Sequence, residues 1–184
     1  LCLMFITCSV MSVSAVNRDI ADTKATSGEF GGIYWSYDSS SKTLSVSGDT
    51  SMRDFNEDSK SPWCEANLDI ERVDVAKGVT SVGSYSFYGL ENLTEVNLPD
   101  TLLGISEYAF GYCQKLDKLN LPSSLKSIRM YAFANCTSLE EMNIPSSTSY
   151  IGEGVFAGCV NLSKVTVNYP YCEIYNSENT ICDN

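Results

Sequence analysis

The chain has 184 residues, with 12 Lys and Arg against 23 Asp and Glu, a formal charge of −11 and no histidine. That balance excludes nucleic acid as a partner, because nothing could neutralise a row of phosphates, and it disfavours anionic membrane surfaces. The missing imidazole removes the commonest zinc-binding and nucleophile-activating arrangements, and no glycine-rich phosphate loop occurs, so neither a metal nor a cofactor is expected.

Residues 1–15 carry no charge and end in Val13-Ser14-Ala15, a small-residue cleavage pattern before Val16. They read as a secretory signal lacking its positively charged start, which implies a chain incomplete at its beginning. The run is too short to span a membrane, and no later stretch reaches about 18 apolar residues, so no transmembrane span is predicted. Cys8 follows Phe5-Ile6-Thr7, a poor fit to a lipoprotein cleavage site. Export would place the remaining cysteines where disulfides persist.

Residues 16–68 are expected to form a β-rich capping segment. A polar, extended lead-in runs to Gly28. Two alternating runs, Gly31 to Tyr37 and Lys42 to Gly48, then bracket the turn-rich Asp38-Ser39-Ser40-Ser41 and predict a hairpin. Residues 49–67 read as loop, with Pro62-Trp63 the point where an aromatic tucks under the segment that begins at Ile70. Asp54 to Asp58 with Glu65 partly imitates a calcium loop, but Ser59 stands where glycine is wanted and no helices flank it, so a solvated loop is expected.

From residue 69 to residue 168 a phrase of 23 residues repeats, with units starting at Ile70, Leu93, Leu116, Leu139 and Leu162. Its columns include Val96, Leu119, Met142 and Val165; Pro99, Pro122 and Pro145; Ile105, Ile128 and Ile151; Phe87, Phe110, Phe133 and Phe156; Cys113, Cys136 and Cys159. Such a period predicts a solenoid, in which each unit buries its apolar side only against its neighbours and the ends need a cover. Each unit supplies a short strand ended by proline, an isoleucine returning to the core, and a phenylalanine dropped into it on a short helical turn. The cysteine column is expected to hold free buried thiols, because stacked coils point equivalent side chains the same way. Cys172 and Cys182 lie outside the pattern and are candidates for a disulfide across the end; Cys64 has no evident partner.

The run from Leu116 to Cys136, with leucines at 116, 119, 121 and 125, Pro122, Ile128, Ala132-Phe133 and Cys136, resembles the BspA-type leucine-rich repeat of bacterial surface proteins. The resemblance implies a repeat solenoid: a short leucine-rich repeat array with a parallel β-strand face, an irregular or short-helical convex side and an N-terminal β-hairpin cap. It also implies a secreted or surface-displayed module that binds other molecules, in some members host matrix or plasma proteins, without catalysis. Residues 169–184 resemble the segment that comes after the last repeat and usually continues, which implies truncation there too. The short array departs from the long arrays of adhesive members.

Strand residues alternate between core and surface, so stacking aligns Arg72, Glu95, Lys118, Glu141 and Lys164 in one outward column and Asp74, Asn97, Asn120, Asn143 and Thr166 in another. The first alternates in sign and the second is amide-rich, so both are either self-satisfied ladders or a contact surface for a protein or glycan. Tyr85, Tyr108 and Tyr131 form a further column, read as packing or as a binding surface. Glu140 and Glu141 offer an acid–base pair but sit on a periodic strand with no sign of a pocket. The functional expectation is a non-catalytic extracellular module, a monomeric part of a larger chain, that binds a protein or glycan through its strand face. The alternatives are a structural spacer without its own ligand and an accessory domain of a secreted carbohydrate-active protein.

Overall fold

Two series of parallel strands and a row of hydrogen-bonded turns wind around one aromatic column. The computed structural model describes residues 25–167 and the strand Glu173–Ile174. The signal-like residues 1–15 and the Cys172/Cys182 pair lie outside the described residues.

The chain enters as an antiparallel meander of β1 (Ser27–Phe30), β2 (Ile33–Asp38) and β3 (Thr43–Gly48). The Asp38 carboxylate closes the β2–β3 turn by accepting from Ser40 N, Ser40 Oγ and Ser41 Oγ at 2.7–2.9 Å. The hairpin legible in the sequence therefore gains a third strand, β1, from what reads as polar lead-in. Phe30 anchors it against Phe55 and Trp63, a long-range contact that local polarity does not reveal. Residues 49–67 are also more ordered than their composition suggests. They carry a bridge between Ser51 and Ser81, bonds from Met52 N and Phe55 N to the Ser81 and Ser84 carbonyls, and the short helix α1 (Pro62–Glu65) with proline at its start.

Each repeat then contributes two strands. The first series is β4 (Arg72–Val75), β6 (Glu95–Asn97), β8 (Lys118–Leu119), β10 (Glu141–Ile144) and β12 (Lys164–Val167); the second is β5 (Ser81–Val82), β7 (Gly104–Ile105), β9 (Ser127–Ile128), β11 (Tyr150–Ile151) and β13 (Glu173–Ile174). The second series forms one parallel sheet, β5-β7-β9-β11-β13, which pairs Val82, Ile105, Ile128 and Ile151 in register. Only its isoleucine was legible, because a two-residue strand leaves no alternation to read. In the first sheet β3 pairs in parallel with β4, so the entry meander extends the repeat sheet as β1-β2-β3-β4-β6-β8. That sheet then stops, and β10 pairs only with β12.

The remaining side of each coil has turns where a short helical turn was expected. Tyr85 N, Phe87 N and Gly89 N donate to the carbonyls of Glu107, Ala109 and Gly111 in the next coil at 2.8–3.0 Å; Tyr108, Phe110 and Tyr112 repeat this, as do Tyr131, Phe133 and Asn135. A helix would spend those amides within the coil. Left-handed residues at Tyr85, Tyr108, Tyr131 and Gly154, with φ of 50–59°, instead turn the amides along the solenoid axis. Hydroxyls add a fourth ladder: Thr101, Ser124 and Ser147, each two residues after the strand-ending position, donate to the carbonyls of Val79, Leu102 and Leu125 at 2.6–3.0 Å.

Inside, Phe87, Phe110, Phe133 and Phe156 stack with centroids 5.2, 5.4 and 5.8 Å apart. Trp63 heads the stack 5.6 Å from Phe87, fully buried, with its indole N–H donating to the Ser86 carbonyl at 2.7 Å. Trp35, Phe30 and Phe55 close around Trp63 at 5.8–6.2 Å and seal that end. Beside the stack, Cys113, Cys136 and Cys159 are unbridged thiols that donate to the carbonyls of Phe87, Phe110 and Phe133 at 3.0–3.2 Å. Burial pushes the Cys113 thiol well above its ordinary value; Cys136 rises through its hydrogen bond with Cys159 and its burial.

Replacing Phe133 with alanine is expected to cost about 3–5 kcal/mol in denaturant unfolding, since the cavity would lie between two stacked rings. Gly154→Ala should cost more than about 1 kcal/mol, because it adds a Cβ at φ +59° that would lie 2.3 Å from the Tyr131 ring. Iodoacetamide should leave Cys113 and Cys136 unmodified in the native protein, read by peptide mass mapping. The Cys113 thiol of the unfolded chain ionises from about pH 9, while burial keeps it protonated in the folded chain. Its contribution is thus fully present below that pH and lost as pH rises beyond it, so the unfolding midpoint should fall on the alkaline side.

Candidate functional site

The outward residues of the first strand series divide into two halves with different chemistry. In the N-terminal half the columns are internally paired: Arg72 reaches Asp74 at 2.9 Å and Glu95 at 3.3 Å, and Asn97 donates to Asp74 at 2.7 Å. The neighbouring edge is laced in the same way. Lys42 meets Asp69 and Glu71, Asn92 donates to Asp69 at 3.0 Å, and Lys115 donates to Asn92 at 2.7 Å. Positions 69, 92 and 115 are one repeat column, so a 23-residue period sets this ladder too.

Beyond β8 the pattern changes. The sheet ends at Leu119, which leaves Asn120 past its edge, and Lys118 forms no ion pair among the described residues. Glu141 and Lys164 meet at 3.6 Å across β10 and β12. Between β8 and β10 lies a polar recess of about 540 Å³ that brings together Asn120, Glu141, Asn143 and Lys164, with Met142 and Leu119 beside them. Five of the ten strand-face residues singled out from the sequence, Asn120, Glu141, Asn143, Lys164 and Thr166, thus share one concavity, while Arg72, Asp74, Glu95 and Asn97 belong to the self-paired half. The break has no sequence signal, for the period runs through it unchanged.

A second concavity lies in a different part of each coil. Tyr85, Tyr108 and Tyr131 stack at 5.1 and 5.0 Å, and Tyr88 and Tyr112, outside that column, join them at 5.1–6.1 Å. Burial, reinforced by Glu57 and the neighbouring phenol and carboxylate groups, pushes the Tyr85 phenol up to about 12, and Tyr88 and Tyr108 also rise. At the N-terminal end of this strip a groove of about 620 Å³ opens between residues 56–68 and the first repeat, with Tyr85 and Tyr88 along one side. Sequence reasoning missed it because its outer wall is the irregular segment before the repeats. The available signal was the parallel register of 29 residues between β3 and β4, six more than the repeat, and that requires knowing which strands pair.

The calcium-loop imitation serves as turn chemistry. Asp54 accepts from Ser84 N at 2.7 Å, and Asn56 accepts from Asp58 N and Ser59 N at 3.0 and 2.8 Å. Among the described residues no group of three or more Cys, Asp or Glu is placed to hold a metal ion. Glu140 and Glu141 border open concavities on the strand side.

A family model for the BspA type leucine rich repeat region matches residues 63–183 in six copies, beginning at the tryptophan that heads the aromatic column. A leucine rich repeat protein of T. pallidum is 22% identical with a TM-score of 0.57, over 75% of this chain and 70% of that one. A leucine rich cell surface protein of Faecalibacterium prausnitzii is 20% identical with a TM-score of 0.56, over 79% of this chain and 44% of that one. A leucine-rich repeat protein of Eubacterium ventriosum is 24% identical with a TM-score of 0.59, over 74% of this chain and 42% of that one. These likenesses show a shared fold, and the chain spans less than half the length of the last two. No curated protein matches it. With two thirds of its length matched and its coils built as that family's repeats, the chain belongs to the BspA-type leucine-rich repeat family.

Proposed function

We propose that the chain is a non-catalytic interaction module of a secreted or cell-surface protein, which recognises an extracellular protein or glycan through the C-terminal half of its first strand series. The observation that carries this reading is the recess between β8 and β10. It supplies an amide pair, Asn120 and Asn143, and the ion pair Glu141–Lys164 on a surface whose backbone is held by neighbouring coils. Polar groups that can donate and accept, held on strands or just past a strand end and open to solvent, suit hydrogen bonding to a partner's peptide or hydroxyl groups. The columns at Arg72 to Asn97 are more extensively paired, with Arg72 on two carboxylates and Asn97 on Asp74, which favours the C-terminal half as the recognition surface. No described helix is long and apolar enough to cross a membrane.

The purified module should retain a partner from a glycan array or an extracellular matrix panel at micromolar concentration. Lys164→Glu should weaken that binding by about tenfold or more, the scale of a lost charge-assisted contact, while leaving the unfolding midpoint nearly unchanged. Binding that survives Lys164→Glu and Asn120→Ala together would place recognition elsewhere, and absence of any partner would favour the spacer role.

A further inference from the structure

We infer that the tyrosine-walled groove between residues 56–68 and the first repeat is a second docking site, and that its occupant is an extended segment of a partner polypeptide bearing lysine or arginine. The site lies in a separate part of the coil from the strand-face recess, and the two share no lining residue.

The groove exists because the solenoid period is broken there. Regular coils pack 23 residues apart, whereas the coil that begins with β3 is six residues longer before it meets β4. The excess stands out as a wall beside Tyr85 and Tyr88, over an apolar floor that includes Leu68 and Ile70. At about 620 Å³ the groove exceeds one side chain and has the size of sites that hold several groups at once. It opens onto the rest of the tyrosine strip, Tyr108, Tyr112 and Tyr131, which continues across the next two coils.

Charge decides the chemistry of the occupant. The groove is bordered by the carboxylates of Glu57 and Glu91, both exposed and neither in an ion pair among the described residues. Lys60 is its one lining cation, so a net negative charge remains. Glu107 adds another carboxylate near Tyr85 and Tyr108. Elsewhere on this acidic chain Lys42, Arg72, Lys77 and Lys164 are engaged by carboxylates. Phenol rings with carboxylates at their rim attract a guanidinium or ammonium group through the ring quadrupole and the charge together. Two of the lining amides are largely engaged: the Asn56 side-chain oxygen accepts two backbone N–H groups, and Asn92 bridges Asp69 and Lys115. A neutral glycan is therefore the less suited occupant.

The test is fluorescence anisotropy with a labelled Arg-Gly repeat peptide at physiological salt, beside the same peptide with Gln for Arg. The expected result is binding of the Arg peptide only, weakened about five- to tenfold by Glu57→Gln with Glu91→Gln and by a similar factor in Tyr88→Leu. The pair Asp117→Asn with Glu140→Gln makes the same charge change away from the groove and should leave the affinity within about twofold. Lys164→Glu should not weaken it, which separates this site from the strand-face reading. Thermal melting checks each variant, and the two exposed glutamate exchanges keep the test valid if Tyr88→Leu does not fold. Equal weakening by both charge pairs would reduce the effect to general attraction to an acidic surface and overturn the proposal. So would equal binding of the Gln peptide, or a glycan whose binding is lost in Tyr88→Leu while the Arg peptide fails to bind.

Discussion

Contact between identical positions of successive coils is the constraint on which the rest of this molecule depends. No coil has a core of its own. Phe110 is buried because Phe87 and Phe133 cover its two faces, and the same holds for Phe133 between Phe110 and Phe156. Near-parallel stacking at 5 to 6 Å matches the spacing of hydrogen-bonded strands, so rings and backbones can climb at one pitch. The pitch in turn dictates what other columns tolerate. A thiol fits beside each ring and bonds to the ring residue's carbonyl one coil back, and glycine at 154 yields to the Tyr131 ring.

Backbone satisfaction obeys the same axis. A solenoid with helices closes many of its amides within the coil, but this one has no helix among the described residues of its repeats. It bonds coil to coil in both sheets, along the turn row, and through a hydroxyl ladder. The left-handed tyrosines result from that arrangement: a conformation disfavoured for a side-chain-bearing residue is held because three amides per coil depend on it and the rings stack outside. The ends pose the opposite problem. At the N-terminal end, Trp63 replaces a phenylalanine, three further aromatics surround it, and the meander adds strands to the sheet.

Both concavities arise where this regularity fails. One appears where β8 and β10 do not pair, the other where the first coil carries extra residues against the tyrosine strip. Regular stacking gives flat, self-paired columns such as Arg72 with Glu95, in which charges are spent on one another and contribute little to recognition. Departures from the period leave polar groups and rings in concave surroundings, which is where a partner can bury surface.

The period is written in the amino-acid sequence, and with it the solenoid, the phenylalanine and cysteine columns, the hairpin and the outward strand residues. Those features are local or strictly periodic, and column identity survives any small change of coil shape. Everything else was settled by the folded chain. Strand β1 rests on Phe30 reaching Phe55 and Trp63; the second sheet has strands too short to alternate; the turn row depends on backbone handedness that tyrosine does not advertise. The break after Leu119 and the groove beside Tyr88 depend on which backbones pair across coils, and residues 23 to 30 positions apart carry no local signal of that pairing.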